Sequence, residues 1–179
     1  PVPGEFPEGF ARLLPFQLTG AQRRAITEAL EDMAGDSPMN RLIQGDVGSG
    51  KTAVAAALCW AVIQNGMQAA LMAPTEILAA QHYQSLNALL EPAHIACALL
   101  TGSVKQAEKK KIYQALADGR IQLVIGTHAL LSEKVEFANL GLVITDEQHR
   151  FGVGQRSALA QKGASPHLLV MSATPIPRT

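Results

Sequence analysis

The sequence predicts a doubly wound α/β fold: a mostly parallel sheet with helices on both faces. Three observations predict it. Apolar runs of strand length recur along the chain, helical patterns fill most of the gaps between them, and a glycine-rich turn joins the first run to the helix that follows. Strands apolar on both faces and separated by helices belong to a parallel sheet covered on both sides.

Residues 1–16 carry four prolines and no sustained periodicity, and read as an extended linker from an upstream domain. The chain opens without a methionine, as expected of a piece of a longer protein. From Thr19, "TGAQRRAITEALEDMA" sets Ala21, Ala25, Ile26, Ala29, Leu30 and Met33 on one helical face, and Gly35 and Pro38 close that helix. Strands are expected at 41–44 (RLIQ), 69–73 (AALMA), 95–100 (IACALL), 121–126 (IQLVIG), 140–145 (LGLVIT) and 167–172 (HLLVMS). Helices are expected at 51–64, 76–90 and 104–117. The domain is expected to span 17–174, with 175–179 starting a linker to a further domain.

Composition sets bounds on partners. Charged residues make up 17% of the 179, below the globular norm of roughly 25%, which suggests that part of the surface is normally covered. Fifteen basic and fifteen acidic side chains balance, so net charge favours neither nucleic acid nor membrane, and any basic surface must be local. No run of eighteen apolar residues occurs and no leader pattern opens the chain, so a cytoplasmic location is the default. Cys59 and Cys97 lie in apolar patterns without metal-ligand spacing and read as buried free thiols.

The chemistry starts at "LIQGDVGSGKT". Gly45, Gly50, Lys51 and Thr52 fit G-x-x-x-x-G-K-[ST] between a strand and a helix, the context that a phosphate-binding loop needs. The glycines of the Gly45, Asp46, Gly48, Ser49, Gly50 segment let successive N–H groups point at one anion. The helix start adds unsatisfied amides and its positive dipole end. Lys51 can reach the β- and γ-phosphates, and Thr52 can hold Mg²⁺. A dinucleotide-binding turn would need G-x-G-x-x-G, which this stretch does not have.

The strand "LVIT" then delivers Asp146 and Glu147 to its carboxyl end, where ligands of open α/β sheets bind. Asp146 would hold Mg²⁺, and Glu147 could orient and deprotonate an attacking water. A nucleoside triphosphate with Mg²⁺ is the expected ligand. Three further strand ends carry hydroxyls: Thr75, Thr101-Gly102-Ser103 and Gly126-Thr127. Singly, such hydroxyls are ordinary helix caps. Together on one sheet edge they offer amides and hydroxyls to successive backbone phosphates without reading bases. Lys105, Lys109, Lys110 and Lys111 read as a solvated helix face. His82, His94 and His167 read as ordinary surface or capping residues.

With Gln148 and His149, the acidic pair forms D-E-x-H, and "MSAT" follows at 171–174. These motifs resemble those of superfamily 2 helicases and translocases. "LPFQLTGAQ", "GDVGSGKT", "APTEILAAQH", "GTHALL", "DEQHRFGVGQR" and "SATPIPRT" resemble the RecG family of ATP-dependent branched-DNA helicases, over nearly the whole chain from Leu14 onward. The transcription-repair coupling translocases share the first half of "RFGVGQR", but Gln148 and the "GQR" ending favour RecG.

The resemblance implies a RecA-like motor domain serving replication-fork rescue, recombination and repair. It implies that Phe16 and Gln22 contact adenine, and that Gln148, His149, Ser172 and Thr174 couple hydrolysis to movement. Pro74, Thr75, Glu76, Thr101, Gly102, Thr127 and His128 become the candidate DNA contacts. It also implies a wedge domain upstream and a second RecA-like domain downstream, neither of which this sequence contains; on its own, the chain is expected to bind ATP with little hydrolysis and no unwinding. Two other readings stay open: a small-molecule kinase or switch GTPase, which would need an acceptor-pocket base or an N-K-x-D absent here, and a non-catalytic nucleotide-binding module.

Overall fold

The computed structural model describes residues 7–35, 38–44, 51–146, 159, 161–163 and 166–172. Each expected apolar run is a strand: β1 (Asn40–Gln44), β2 (Gln68–Met72), β3 (Cys97–Leu100), β4 (Leu123–Gly126), β5 (Leu140–Asp146) and β6 (His167–Ser172). They form one six-stranded sheet in the order β1-β6-β5-β2-β4-β3. Every pairing in it is parallel. The helices are α1 (Glu8–Ala11), α2 (Gly20–Met33), α3 (Lys51–Gln64), α4 (Glu76–Leu90) and α5 (Gln106–Ala117).

Alternate residues of the central strands feed two separate cores, as the period-2 geometry of a strand requires. Ala69, Leu71, Leu142, Ile144, Leu169 and Met171 cluster with residues of α2, α3 and α4. Ala70, Met72, Val124 and Val143 cluster instead with Leu116 of α5 and with Leu130 and Val135 of the β4–β5 connection. The doubly wound arrangement follows.

Helix α3 is apolar all round, with Ala53 through Cys59 and Ala61 through Ile63 buried. Such a helix is stable only when it is enclosed, and α3 packs against α2, α4 and the sheet. Helix α2 begins at a capping box: Thr19 Oγ1 accepts from the Gln22 N–H, and Gln22 Oε1 accepts from the Thr19 N–H. That reciprocal pair satisfies two helix-start donors. Of the expected apolar face, Ile26, Ala29, Leu30 and Met33 are buried, whereas Ala21 is exposed.

Within the stretch 1–16 expected to be extended, Glu8–Ala11 form α1. Phe10 is fully buried and meets the Trp60 ring of α3 at a centroid distance of 6.0 Å. Proline density suggested a linker, but Pro7 stands just before the first turn, where a missing N–H costs nothing. One aromatic anchor outweighs the composition. Arg23 of α2 and Glu8 add an exposed ion pair at 2.5 Å, which contributes little by itself.

The sheet's two ends differ in purpose. At the amino end, buried Gln68 donates through Nε2 to the carbonyls of Leu116 and Ile121, and its Oε1 accepts from the Asn139 N–H. A single amide thereby joins β2 to the ends of two connections. At the carboxyl end, a Cβ on Gly126 would lie 2.0 Å from the Leu100 carbonyl oxygen. Glycine there lets the ends of β3 and β4 close together. Both cysteines are free. Burial pushes the Cys97 thiol up to about 11, and burial followed by the neighbouring Cys97 pushes Cys59 higher still. Neither is a nucleophile at neutral pH.

Candidate nucleotide site and nucleic-acid edge

Because all strands run the same way, every motif-bearing strand end lies on one edge, and the register orders them along it. Gln44 pairs with Ser172, Asp146 with Met171, Thr145 with Met72, Met72 with Gly126, and Gly126 with Leu100. The strand order therefore divides the edge. β1, β6 and β5 end at Gln44, Ser172 and Asp146. β2, β4 and β3 lead into Thr75, Thr127 and Thr101.

In the first half, Lys51 and Thr52 open α3 and are half-buried. Gly45, Asp46, Gly48, Ser49 and Gly50 lie outside the described residues, as do Glu147, Gln148, His149 and Thr174. Ser172 is the last residue of β6. Asp146 ends β5 with its residue only 5% exposed. A carboxylate this buried needs a partner, and it has one: His82 Nε2–H of α4 donates to Asp146 Oδ2 at 2.6 Å. The His82 and Asp146 side chains are 17% and 7% exposed.

The donor set suits a hard cation. A carboxylate accepts through both oxygens; His82 takes Oδ2, so Oδ1 can turn to a metal ion or its water. Thr52 supplies a hydroxyl from the first turn of α3, and oxygen donors of this kind are what Mg²⁺ takes. Phe16, 45% exposed, offers a ring face to solvent. Gln22 is fixed in the capping box through its carbonyl oxygen, which orients its amide plane.

The second half is built from turns. Thr75 caps α4, its Oγ1 accepting from the Leu78 N–H at 3.1 Å. Thr127 caps the 3₁₀ turn His128–Leu131 in the same way through the Ala129 N–H. Thr101 shares a hydrogen bond with Ser103, and Ser103 donates to Glu76 Oε1 at 2.7 Å. Thr101 and Thr127 are only 4% and 3% exposed. Their hydroxyls serve the turns, and the surface of this edge belongs to Thr75, Glu76, Gly102 and His128, with Pro74 half-exposed. Lys105, Lys110 and Lys111 are exposed and Lys109 half-buried.

Sequence reasoning placed His82 among ordinary histidines, and the structure corrects this. The contact spans 64 positions of sequence and exists because β2, which feeds α4, lies beside β5. No local spacing signals it. His94 and His167 keep capping roles: His94 ends a 3₁₀ turn in the left-handed region at φ 60, and His167 Nδ1 accepts from the Met39 N–H.

A parallel sheet with its loop-bearing strand at one edge and its acidic strand two places in defines the RecA-like core of a helicase motor, and the chain belongs to the DEAD/DEAH box helicase family, whose model matches residues 19–179. It is similar in particular to the ATP-dependent DNA helicase RecG of Synechocystis, 56% identical over 98% of this chain and 21% of the relative. RecG of Aquifex aeolicus is 58% identical over 93% of this chain and 21% of its own length. A solved structure of RecG bound to a three-way DNA junction matches with a TM-score of 0.85 at 50% identity, covering 99% of this chain and 24% of that one. The chain thus spans about a fifth to a quarter of the length of these relatives. Among the described residues no helix is long and apolar enough to cross a membrane.

Proposed function

We propose that the chain is the ATP-binding motor half of a RecG-type helicase that acts on branched DNA in replication-fork rescue, recombination and repair in the cytoplasm. The observation that carries this is the divided sheet edge: Asp146 at the end of β5 in the β1, β6 and β5 half, and in the other half the turns after β2, β4 and β3, with Thr75 and Thr127 as caps after β2 and β4. Lys51 holds the β- and γ-phosphates, while Thr52 and Asp146 hold the cation. Bound Mg²⁺ supplies charge neutralisation at the phosphates. Glu147 orients and deprotonates the attacking water, and Phe16 and Gln22 hold the adenine. Gln148, His149, Ser172 and Thr174 couple hydrolysis to movement.

On the other half, Pro74, Thr75, Glu76, Thr101, Gly102, Thr127 and His128 form the path for one DNA strand. Backbone amides at the start of α4 and in the turns after β3 and β4 meet phosphates without reading bases. Burial of Thr101 and Thr127 leaves their part to the backbone, and Glu76, taken by Ser103, organises the path rather than binding phosphate. A wedge domain that grips the junction and a second RecA-like domain that completes the ATP site are the partners this reading requires.

Lys51→Ala tests the nucleotide assignment. Calorimetry with ATP and Mg²⁺ is expected to show no detectable affinity, with the melting temperature unchanged. Retained affinity in a folded variant overturns the assignment, and a collapsed melting temperature makes Lys51 a structural residue.

A further inference from the structure

We propose that His82 is a positioning residue for the metal site: it holds the Asp146 carboxylate in the orientation that receives Mg²⁺. This rests on the nucleotide reading above and extends it to a side chain outside the phosphate loop and the acidic strand motif.

Three observations carry it. Asp146 is almost fully enclosed, so its orientation is set by protein groups rather than by water. His82 Nε2 lies 2.6 Å from Oδ2, within charge-assisted hydrogen-bond range. The histidine is itself mostly enclosed, held two turns into a fifteen-residue helix whose first turn is capped by Thr75. A carboxylate with one oxygen fixed by a rigid donor has lost its χ2 freedom, so its other oxygen is pre-aimed. Metal-ligating groups are generally held by such outer partners, and removing the partner costs roughly 10- to 100-fold in metal affinity.

The bond also crosses the boundary between the two halves of the edge. Asp146 ends the last strand of the nucleotide half, and His82 belongs to the helix that begins at Thr75 and Glu76 on the DNA half. His82 lies seven positions along the helix from Thr75, about 10 Å of axial rise. The metal ligand is thereby tied to the element that starts at the proposed DNA path.

The test compares this chain with His82→Ala and His82→Gln, the latter keeping an N–H donor at similar reach. ADP affinity is measured in EDTA and across a Mn²⁺ titration, with bound Mn²⁺ read by electron paramagnetic resonance. His82→Ala is expected to raise the Mn²⁺ half-saturation about 10-fold and to leave metal-free ADP affinity as it was. His82→Gln is expected to recover most of the loss. An unchanged half-saturation in a folded His82→Ala overturns the proposal. So does a parallel fall of melting temperature and metal-free affinity in both variants, which would make the contact a packing feature only. If the unsubstituted chain binds no ADP at any Mn²⁺ concentration, the nucleotide reading itself fails, and the proposal with it.

Discussion

Asp146 and Glu147 are neighbours in sequence, yet the proposed reading gives them separate tasks. Asp146 is enclosed and held by His82, which suits a ligand that must not move. The proposed base, Glu147, must instead reach a water near the γ-phosphate. In the full-length parent protein, Glu147→Gln keeps shape and loses basicity, so Mg-ATP binding is expected to persist while single-turnover hydrolysis falls by about 10²- to 10⁴-fold. Asp146→Asn is expected to weaken metal-dependent binding as well. Hydrolysis by Glu147→Gln at the unsubstituted rate would move the water-activating role to another group.

Among the elements, α3 and α1 show how packing overrides local signals. Helix α3 has no polar face and is stable because α2, α4 and the sheet enclose it, which also anchors Lys51 and Thr52 at its start. Helix α1 has four residues, too few to stand alone. It exists because Phe10 is buried against Trp60. Phe10→Ala is therefore expected to cost about 3–5 kcal/mol, read as a lower urea midpoint. A midpoint unchanged by that substitution would return residues 7–16 to the status of a passive linker. The same segment leads to Phe16, so docking of α1 also fixes where the proposed adenine-contacting residue enters the domain.

Across the whole molecule, the proposed motor calls for a transition-state arginine. Charge builds on the γ-phosphoryl group in the transition state, and an arginine reaching across the cleft is worth on the order of 10³ to 10⁵ in rate, about 4 to 7 kcal/mol. Arg150, Arg156 and Arg178 are the local candidates, all outside the described residues. On the proposed reading that arginine comes from a second RecA-like domain. Unwinding further requires two domains that close and open around the nucleotide. The 179-residue chain is accordingly expected to bind ATP weakly, hydrolyse it very slowly and unwind no DNA. Steady-state turnover with three-way junction DNA checks this. A DNA-stimulated rate of several per second from this chain would show that one domain holds a complete motor. Leu13, Phe16, Leu42 and Ile77 are the exposed large apolar side chains among the described residues, in keeping with a lightly charged surface.

The sequence by itself determined the doubly wound class, the spans of six strands and four long helices, and the strand ends at Gln44 and Asp146. Those features are local: periodicity, glycine spacing and caps act within about fifteen residues, so they can be read from neighbours in the chain. Only the tertiary structure decided the strand order that divides the functional edge, the docking of α1 through Phe10, the burial of the Thr101 and Thr127 hydroxyls, and the bond from His82 to Asp146. Each depends on which distant segments pack side by side. A crossover connection fixes a strand's direction but not which strand becomes its neighbour, and the histidine in the middle of α4 acquired its partner only when β2 took its place beside β5.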